Sequence, residues 1–196
     1  MGDAWVALGD RAVRFARPAG VSPRAIVRAA RAWDGVIDVV VARDDVAVYW
    51  ERAPQLDHAQ IAALAALRDD EAPARTIELH AIYDGPDLDD IARAIGASVD
   101  EVVRMHAAPT YVVETLGFAP GFAYLTGLDA RLAMIERRVT PRSRVPAGAL
   151  AIAGGYTAVY PFDSPGGWNL IGRVDERMFT ARGALLSLGD RVRFSR

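Results

Sequence analysis

The sequence contains no cysteine and no lysine among its 196 residues. The absence of cysteine excludes disulfide bonds, thiolate nucleophiles and cysteine-based zinc sites. The absence of lysine excludes Schiff-base chemistry and the phosphate-binding lysine of a P-loop. All 23 basic side chains are therefore arginines. Any ATP chemistry would have to proceed without a P-loop.

Long apolar runs and a net positive charge are also missing. No apolar stretch approaches the ~20 residues of a membrane helix, and the segment from Met1 to Trp5 does not resemble a signal peptide. The formal net charge of -2 provides no general attraction to nucleic acid or to an anionic membrane. We therefore expect a cytoplasmic globular protein with no nucleic-acid and no membrane partner.

The first part of the chain alternates between strand and helix patterns. Ser22 is a good N-cap with Pro23 directly behind it, and β-branched runs flank the turn at 43–45. The order strand, helix, hairpin, helix, strand matches a split β-α-β unit of ferredoxin-like type, so we expect an N-terminal α/β domain of residues 1–80. The elements are predicted at 5–8, 12–15, 22–35, 36–50, 57–67 and 76–82.

The second part of the chain is mostly β after two short helices, which are predicted at 87–95 and 99–106 with Asp87 and Ser98 as N-caps. Short strands then follow, separated by glycine and proline turns at the spacing of a closed barrel or sandwich. The predicted fold class is α+β, with a second domain of residues 81–196. Its strands are predicted at 111–116, 149–153, 157–161, 169–174 and 191–194.

Residues 116–125 carry two Gly-Phe pairs around a proline, which makes the segment too rigid and too aromatic for an ordinary surface loop. Two interpretations stay open: Gly121, Phe122 and Tyr124 line a ligand pocket, or they pack as a buried plug at a barrel end. Trp168, beside a second glycine turn, has a similar pair of interpretations. It covers a planar ligand, or it lies in the core with its indole N–H hydrogen-bonded.

Arg142 and Arg144 lie between two prolines that restrict the backbone. Alternate residues of an extended chain face the same side, so the two guanidinium groups could hold one carboxylate or phosphate together. The alternative is that each arginine pairs with a surface acid. The proline framing favours a role in ligand binding or at an interface.

Gly154 and Gly155 offer backbone amides that no side chain covers, as an oxyanion or phosphate cradle requires, and Tyr156 and Thr157 follow directly. A bend in a barrel strand is the commoner explanation of a Gly-Gly pair.

His106 is a candidate acid/base group or ligand donor, with a helix-end histidine favoured by the dipole as the alternative. The 3 histidines show no metal-ligand spacing, so no metal site is expected.

Several blocks in fixed order closely resemble the family of 5-oxoprolinase B subunits, also called allophanate hydrolase subunit 1 or KipI-like. The resemblance covers the whole chain and implies an N-terminal α/β domain and a C-terminal cyclophilin-like β-barrel. It also implies a complex with a homologue of allophanate hydrolase subunit 2, which is the C subunit of 5-oxoprolinase, and in some cases with a third subunit. That complex opens 5-oxoproline to glutamate with ATP. The blocks are 83–88, 117–125, 140–148, 152–157 and 164–173.

The resemblance leads us to expect a hydrolase subunit that is inactive alone, with ATP bound in the complex. Its candidate binding residues would lie near a site shared with the C subunit, and no catalytic residue is assigned. Two other functions stay open: a regulatory protein that inhibits a histidine kinase, as for KipI-like members, or the carboxyltransferase-type part of a urea or allophanate pathway. A prolyl isomerase is suggested by the barrel alone, which is fold analogy.

The sequence departs from the usual family pattern at a few positions in these blocks. Ala123 stands where proline is common, Tyr156 where glutamine commonly follows Gly-Gly, and Asn169 where glutamine is frequent. A phenol contacts a ligand differently from an amide, so the identity of the substrate stays open.

Overall fold

A computed structural model describes residues 5–67 and 74–196 of the chain. The chain divides into two compact units, Met1–Pro73 and Ala74–Arg196. Within the described residues, no helix is both long enough and apolar enough to cross a membrane.

The first unit is a four-stranded antiparallel sheet with two helices. Its elements are β1 (Trp5–Ala7), β2 (Ala12–Ala16), α1 (Pro23–Arg31), β3 (Val36–Val41), β4 (Asp45–Trp50) and α2 (His58–Ala65). The strands are arranged in the order β1-β2-β4-β3. The Ser22 side chain accepts a hydrogen bond from the Ala25 N–H and so caps α1, as predicted. Ile26 of α1 and the β4 residues Val46 and Val48 belong to one buried hydrophobic core.

The strand that was expected to complete the ferredoxin-like unit belongs to the second unit instead. This strand, β5 (Thr76–Ile82), pairs with strands of the second unit. In the sheet of the first unit, β1 occupies the edge position next to β2. The domain boundary expected after residue 80 therefore falls inside β5. A local pattern predicts a strand but contains no information about its pairing partner, which explains the difference.

The second unit is a closed barrel of seven strands with three helices and two small additional sheets. The helices are α3 (Leu88–Ile95), α4 (Val99–Ala107) and α5 (Ala130–Ala133). The strands after β5 are β6 (Tyr111–Leu116), β7 (Ala123–Thr126), β8 (Arg142–Val145), β9 (Ala149–Ala153), β10 (Tyr156–Val159), β11 (Ser164–Gly166), β12 (Asn169–Val174), β13 (Phe179–Thr180), β14 (Gly183–Ala184) and β15 (Arg191–Ser195).

The barrel closes in the order β10-β7-β6-β15-β5-β12-β9, and β8 with β11 forms a separate ribbon. The β5–β15 pair is parallel, whereas the other pairs in the barrel are antiparallel. The predicted α+β class with a C-terminal barrel is confirmed. Five strands and one helix of this unit were not predicted, because each has only two to four residues and so offers little periodicity to read. They are β7, β8, β11, β13, β14 and α5.

Strand β9 is buried along its whole length and faces two different cores. Leu150 and Ile152 point into the barrel interior, where they join apolar side chains from the other strands and from α3 and α4. Ala151 and Ala153 belong to a second cluster on the outer face. This follows from the alternation of side chains along a strand. The small outward side chains leave room for larger groups to pack on that face.

Candidate functional site

An aromatic cluster lies over the outer face of β9 and β10. The alanines of these strands let bulky rings approach the sheet closely. Phe122 is at the centre, with its ring centroid 5.3 Å from that of Tyr160 and 5.6 Å from that of Trp168, both edge to face. This is the favourable geometry for aromatic pairs. The aromatic cluster consists of Phe118, Phe122, Tyr124, Tyr156, Tyr160 and Trp168.

The chain segment that supplies this cluster has a constrained backbone at two positions. Gly121 has φ of +82, and a Cβ there would lie 2.8 Å from the carbonyl oxygen of Met178, so only glycine fits without distortion. Phe118 has φ of 73 and is the one non-glycine residue with positive φ in the described ranges. The residue is 62% exposed. A bulky residue in this conformation is strained by about 1–3 kcal/mol, and such strain concentrates at functional sites.

A small cleft opens between these rings. Its volume is about 90 Å³. The cleft therefore suits a small group such as a single small ring. The side chains lining it include Phe118, Phe122, Tyr124, Tyr160, Trp168 and Arg137.

The polar groups at the cleft are two phenol hydroxyls and the Arg137 guanidinium. Burial raises the pKa of the Tyr124 and Tyr160 hydroxyls, and Arg137 acts on both in the opposite direction. Both phenols therefore remain protonated near neutral pH and are available as hydrogen-bond donors. The Arg137 side chain is exposed, and no ion pair or hydrogen bond joins it to another described residue.

A buried ion cluster supports the arginine-rich segment beside the cleft. Asp87 Oδ1 accepts hydrogen bonds from Arg138 Nη1 at 3.0 Å and from Arg142 Nη2 at 2.8 Å. Its Oδ2 accepts one from the Leu170 backbone N–H at 2.6 Å. The Asp87 side chain therefore does not cap α3, which corrects the prediction made from the sequence. One carboxylate neutralises one of two guanidinium groups, so a positive charge remains in this cluster.

The structure does not bring Arg142 and Arg144 together on one anion. Arg142 pairs with Asp87, whereas Arg144 donates to Asp163 Oδ2 from Nε at 2.9 Å and from Nη2 at 2.6 Å. Both arginines lie on the extended strand β8, as their alternation required. The two guanidinium groups nevertheless bind different carboxylates. Arg144 pairs with the exposed Asp163, as in the alternative interpretation, whereas Arg142 shares the buried Asp87 with Arg138. The pairing acid of Arg142 lies 55 residues away, so the local pattern could not show it.

The Gly154-Gly155 pair forms the turn between β9 and β10 rather than a bend within a strand. Their φ values of 54 and 84 are those of the two-residue turn that joins tight hairpins. The Gly154 N–H donates to the Ile135 carbonyl at 2.8 Å, so this amide is not available to a ligand. Tyr156 donates from its hydroxyl to Glu114 Oε2 at 2.8 Å. It belongs to the aromatic cluster but does not line the cleft.

His106 and Thr157 lie in the barrel interior, away from the cleft. The Thr157 hydroxyl donates to the Ala151 carbonyl, so it accepts from His106 Nε2 at 2.9 Å, and His106 Nδ1 accepts from the Tyr83 hydroxyl at 2.8 Å. Complete burial lowers the pKa of His106 to about 3. His106 lies in the last turn of α4, as in the helix-end interpretation, but burial favours its neutral form, and both ring nitrogens are already hydrogen-bonded within the core.

Sequence reasoning missed three residues of this site. Phe118 was within the aromatic segment, but its left-handed backbone has no sequence signal. Tyr160 was assigned to a strand end, and Arg137 lies in an irregular segment without a motif. The adjacent Arg137-Arg138 pair was the available signal. Across the described ranges, no group of three or more potential ligand side chains is arranged to hold a metal ion.

Comparisons with known proteins agree with this architecture. Residues 7–187 match the family model of the carboxyltransferase domain, subdomain C and D. The chain is 42% identical over 136 residues to the B subunit of 5-oxoprolinase from Haemophilus influenzae, covering 66% of this chain and 63% of that protein. It is 34% identical over 218 aligned positions to the B subunit of 5-oxoprolinase from Bacillus subtilis, covering 96% of this chain and 90% of that protein.

A solved structure, that of the protein TTHA0988, is similar with a TM-score of 0.76 and 36% identity, covering 94% of this chain and 39% of that chain. This chain thus spans less than two thirds of the length of the Haemophilus influenzae relative and of TTHA0988. The barrel is cyclophilin-like, as the resemblance implied. The near-complete match to the Bacillus subtilis protein and the family model together establish that the chain belongs to the family of 5-oxoprolinase B subunits, with the carboxyltransferase domain, subdomain C and D.

Proposed function

We propose that the chain is a subunit of an ATP-dependent 5-oxoprolinase, which opens 5-oxoproline to glutamate. The complex would also contain a homologue of allophanate hydrolase subunit 2, as the C subunit, and a third subunit. The observation that carries the proposal is the 34% identity to a protein named as the B subunit of 5-oxoprolinase over 96% of this chain. The aromatic cleft, whose size suits one small ring, adds a physical reason.

The reaction breaks the C–N bond of a five-membered lactam, with water as the second reactant and ATP as the source of free energy, giving glutamate, ADP and phosphate. Activation places negative charge on the lactam oxygen, and guanidinium and phenol donors stabilise such charge. The cleft supplies two phenol hydroxyls that can donate to this oxygen. ATP is expected to bind elsewhere in the complex. The chain alone is therefore expected to be inactive.

Reconstitution tests the proposal. The chain is co-expressed with its C-subunit homologue and the third subunit, and ADP and glutamate are measured with and without 5-oxoproline. We expect ATP hydrolysis that depends on 5-oxoproline in the complex and none with the chain alone. A complete complex without this dependence would contradict the function, and turnover by the chain alone would contradict its status as a dependent subunit.

A second candidate is the carboxyltransferase-type part of a urea or allophanate pathway, and the description of the matching family model favours it. The same assay separates the two functions. Stimulation of ATP hydrolysis in a purified complex by urea rather than by 5-oxoproline would support the second candidate. Co-purification with a histidine kinase, without stimulation by either compound, would instead support the regulatory hypothesis.

A further inference from the structure

Arg137 is a cation without a partner beside a cleft made of aromatic rings. Arginine side chains in this chain commonly pair with carboxylates, as Arg138, Arg142 and Arg144 do. Arg137 makes no such pair within residues 5–67 and 74–196, although its side chain lines the cleft and influences both phenols there. An arginine fork fits a carboxylate with two parallel hydrogen bonds. A ligand carboxylate would therefore complete the site.

The electrostatics around Arg137 favour an anion. The neighbouring Asp87 cluster holds two guanidinium groups on one carboxylate, and Arg138 Nε and Arg142 Nη1 are buried without a hydrogen-bond partner. The adjacent Glu136 is exposed and makes no ion pair among the described residues. The positive charge near the cleft is thus only partly neutralised, and a cationic ligand would be repelled.

The geometry points to this cleft as a carboxylate-selecting pocket for a small ring acid, in which Arg137 pairs with the carboxylate. The rings of Phe122 and Trp168 would cover the apolar ring atoms, while the hydroxyls of Tyr124 and Tyr160 would donate to the ring carbonyl. The Tyr124 hydroxyl has no partner among the described residues, so a ligand could use it fully. The class of ligand rests on the proposed function, since 5-oxoproline is a five-membered lactam that carries a carboxylate.

A backbone hydrogen bond attaches the segment that carries Arg137 to the wall of the cleft. The Arg138 backbone N–H donates to the Gly167 carbonyl at 2.7 Å, which attaches the arginine segment to the glycine turn at the cleft wall. Phe118 also lines the cleft and is exposed, with a strained backbone conformation. The backbone hydrogen bond fixes the segment that carries Arg137 relative to the cleft wall.

The test compares 5-oxoproline with 2-pyrrolidinone, the same lactam without the carboxylate. Arg137→Gln is measured in the complete complex for KM and kcat and by calorimetric titration of both compounds. A lost charge-assisted hydrogen bond at an exposed arginine corresponds to a rise of roughly tenfold in the KM and Kd for 5-oxoproline. Affinity for 2-pyrrolidinone is expected to stay unchanged, so the variant should lose most of the discrimination between the two compounds.

Two further variants control the experiment. Arg193→Gln changes an exposed arginine on β15, which lies on the opposite side of the barrel from β9 and β10, and should leave both affinities unchanged. Arg137→Lys retains the charge without the planar fork and should recover part of the affinity for 5-oxoproline. Melting temperatures of all variants verify that each complex is folded.

The outcomes separate this inference from the proposed function. If Arg137→Gln retains the wild-type KM for 5-oxoproline while the complex hydrolyses ATP, the pocket assignment is wrong and the function stands. If the wild-type complex shows no hydrolysis that depends on 5-oxoproline, the function is wrong, and calorimetry decides the pocket. Binding of 5-oxoproline that is lost in Arg137→Gln would then support the pocket, and absence of binding to the wild type would overturn it.

Discussion

Replacing Asp87 by asparagine removes the carboxylate on which Arg138 and Arg142 converge. Asparagine has nearly the same shape, so the change removes charge rather than volume. Loss of one partner from a buried ion pair costs about 3–5 kcal/mol, because the remaining charge stays where water cannot reach it fully. The arginine side chains are 34% and 23% exposed, so water solvates them in part. We therefore expect a loss near the lower end, about 3 kcal/mol.

The free energy of unfolding is measured by urea denaturation, followed by circular dichroism, with linear extrapolation to water. A loss of about 3 kcal/mol would also lower the melting temperature by roughly 10 °C. The matched control is Asp175→Asn, in an exposed pair with Arg173, which keeps its second partner Asp84. We expect little change there. If Asp87→Asn lost no more stability than this control, the buried ion cluster would not support the site as argued.

Three other variants test the core and the cleft. Gly121→Ala should lower the free energy of unfolding by about 1–3 kcal/mol, because residue 121 has a left-handed backbone and the alanine Cβ would meet the Met178 carbonyl. The control Gly117→Ala, whose Cβ would enter open space, should lose less stability. Equal melting temperatures of the two variants would contradict this. Phe118→Gly should preserve or raise the melting temperature by relieving strain while it weakens binding of 5-oxoproline in calorimetry; loss of stability without loss of affinity would show a structural role. The pKa of His106 falls from 6.5 to about 3 on burial, so its contribution to stability is present above pH 6.5 and lost as the pH falls toward 3. Wild-type protein should therefore lose more stability between about pH 7 and about pH 4 than His106→Gln does, and equal losses in urea denaturation would contradict the neutral core histidine.

Local signals predicted the helices well. Ser22 and Ser98 cap α1 and α4 as expected, and Ser98 forms a capping box with Glu101. Capping depends on residues a few positions apart, so the sequence contains the whole interaction. The same holds for the β3–β4 hairpin, whose two strands are neighbours along the chain.

Long-range contacts were beyond the sequence patterns. β5 pairs in parallel with β15 at the far end of the chain, and this pairing moved the predicted strand from the first unit to the second. Asp87 was expected to cap a helix, but its partners Arg138 and Arg142 lie 51 and 55 residues away. A cap and an ion-pair centre use the same residue type, so only the fold distinguishes them.

The candidate site was predicted in part for a similar reason. The sequence singled out Phe122, Tyr124 and Trp168 because rigid aromatic turns are unusual, and the fold brings these three together at the cleft. His106 and Thr157 were placed at the site although the alternation of β10 directs Thr157 into the barrel. An alternating strand has two faces, and the sequence does not say which face meets a ligand.

A crystal structure of the complete complex with 5-oxoproline is the most direct test of the central claim, that this chain contributes an aromatic pocket with Arg137 to lactam recognition. We predict the lactam ring in this cleft, against the rings of Phe122 and Trp168, with its carboxylate hydrogen-bonded to the Arg137 guanidinium. Density for the lactam at another place in the complex, with this cleft empty, would contradict the account.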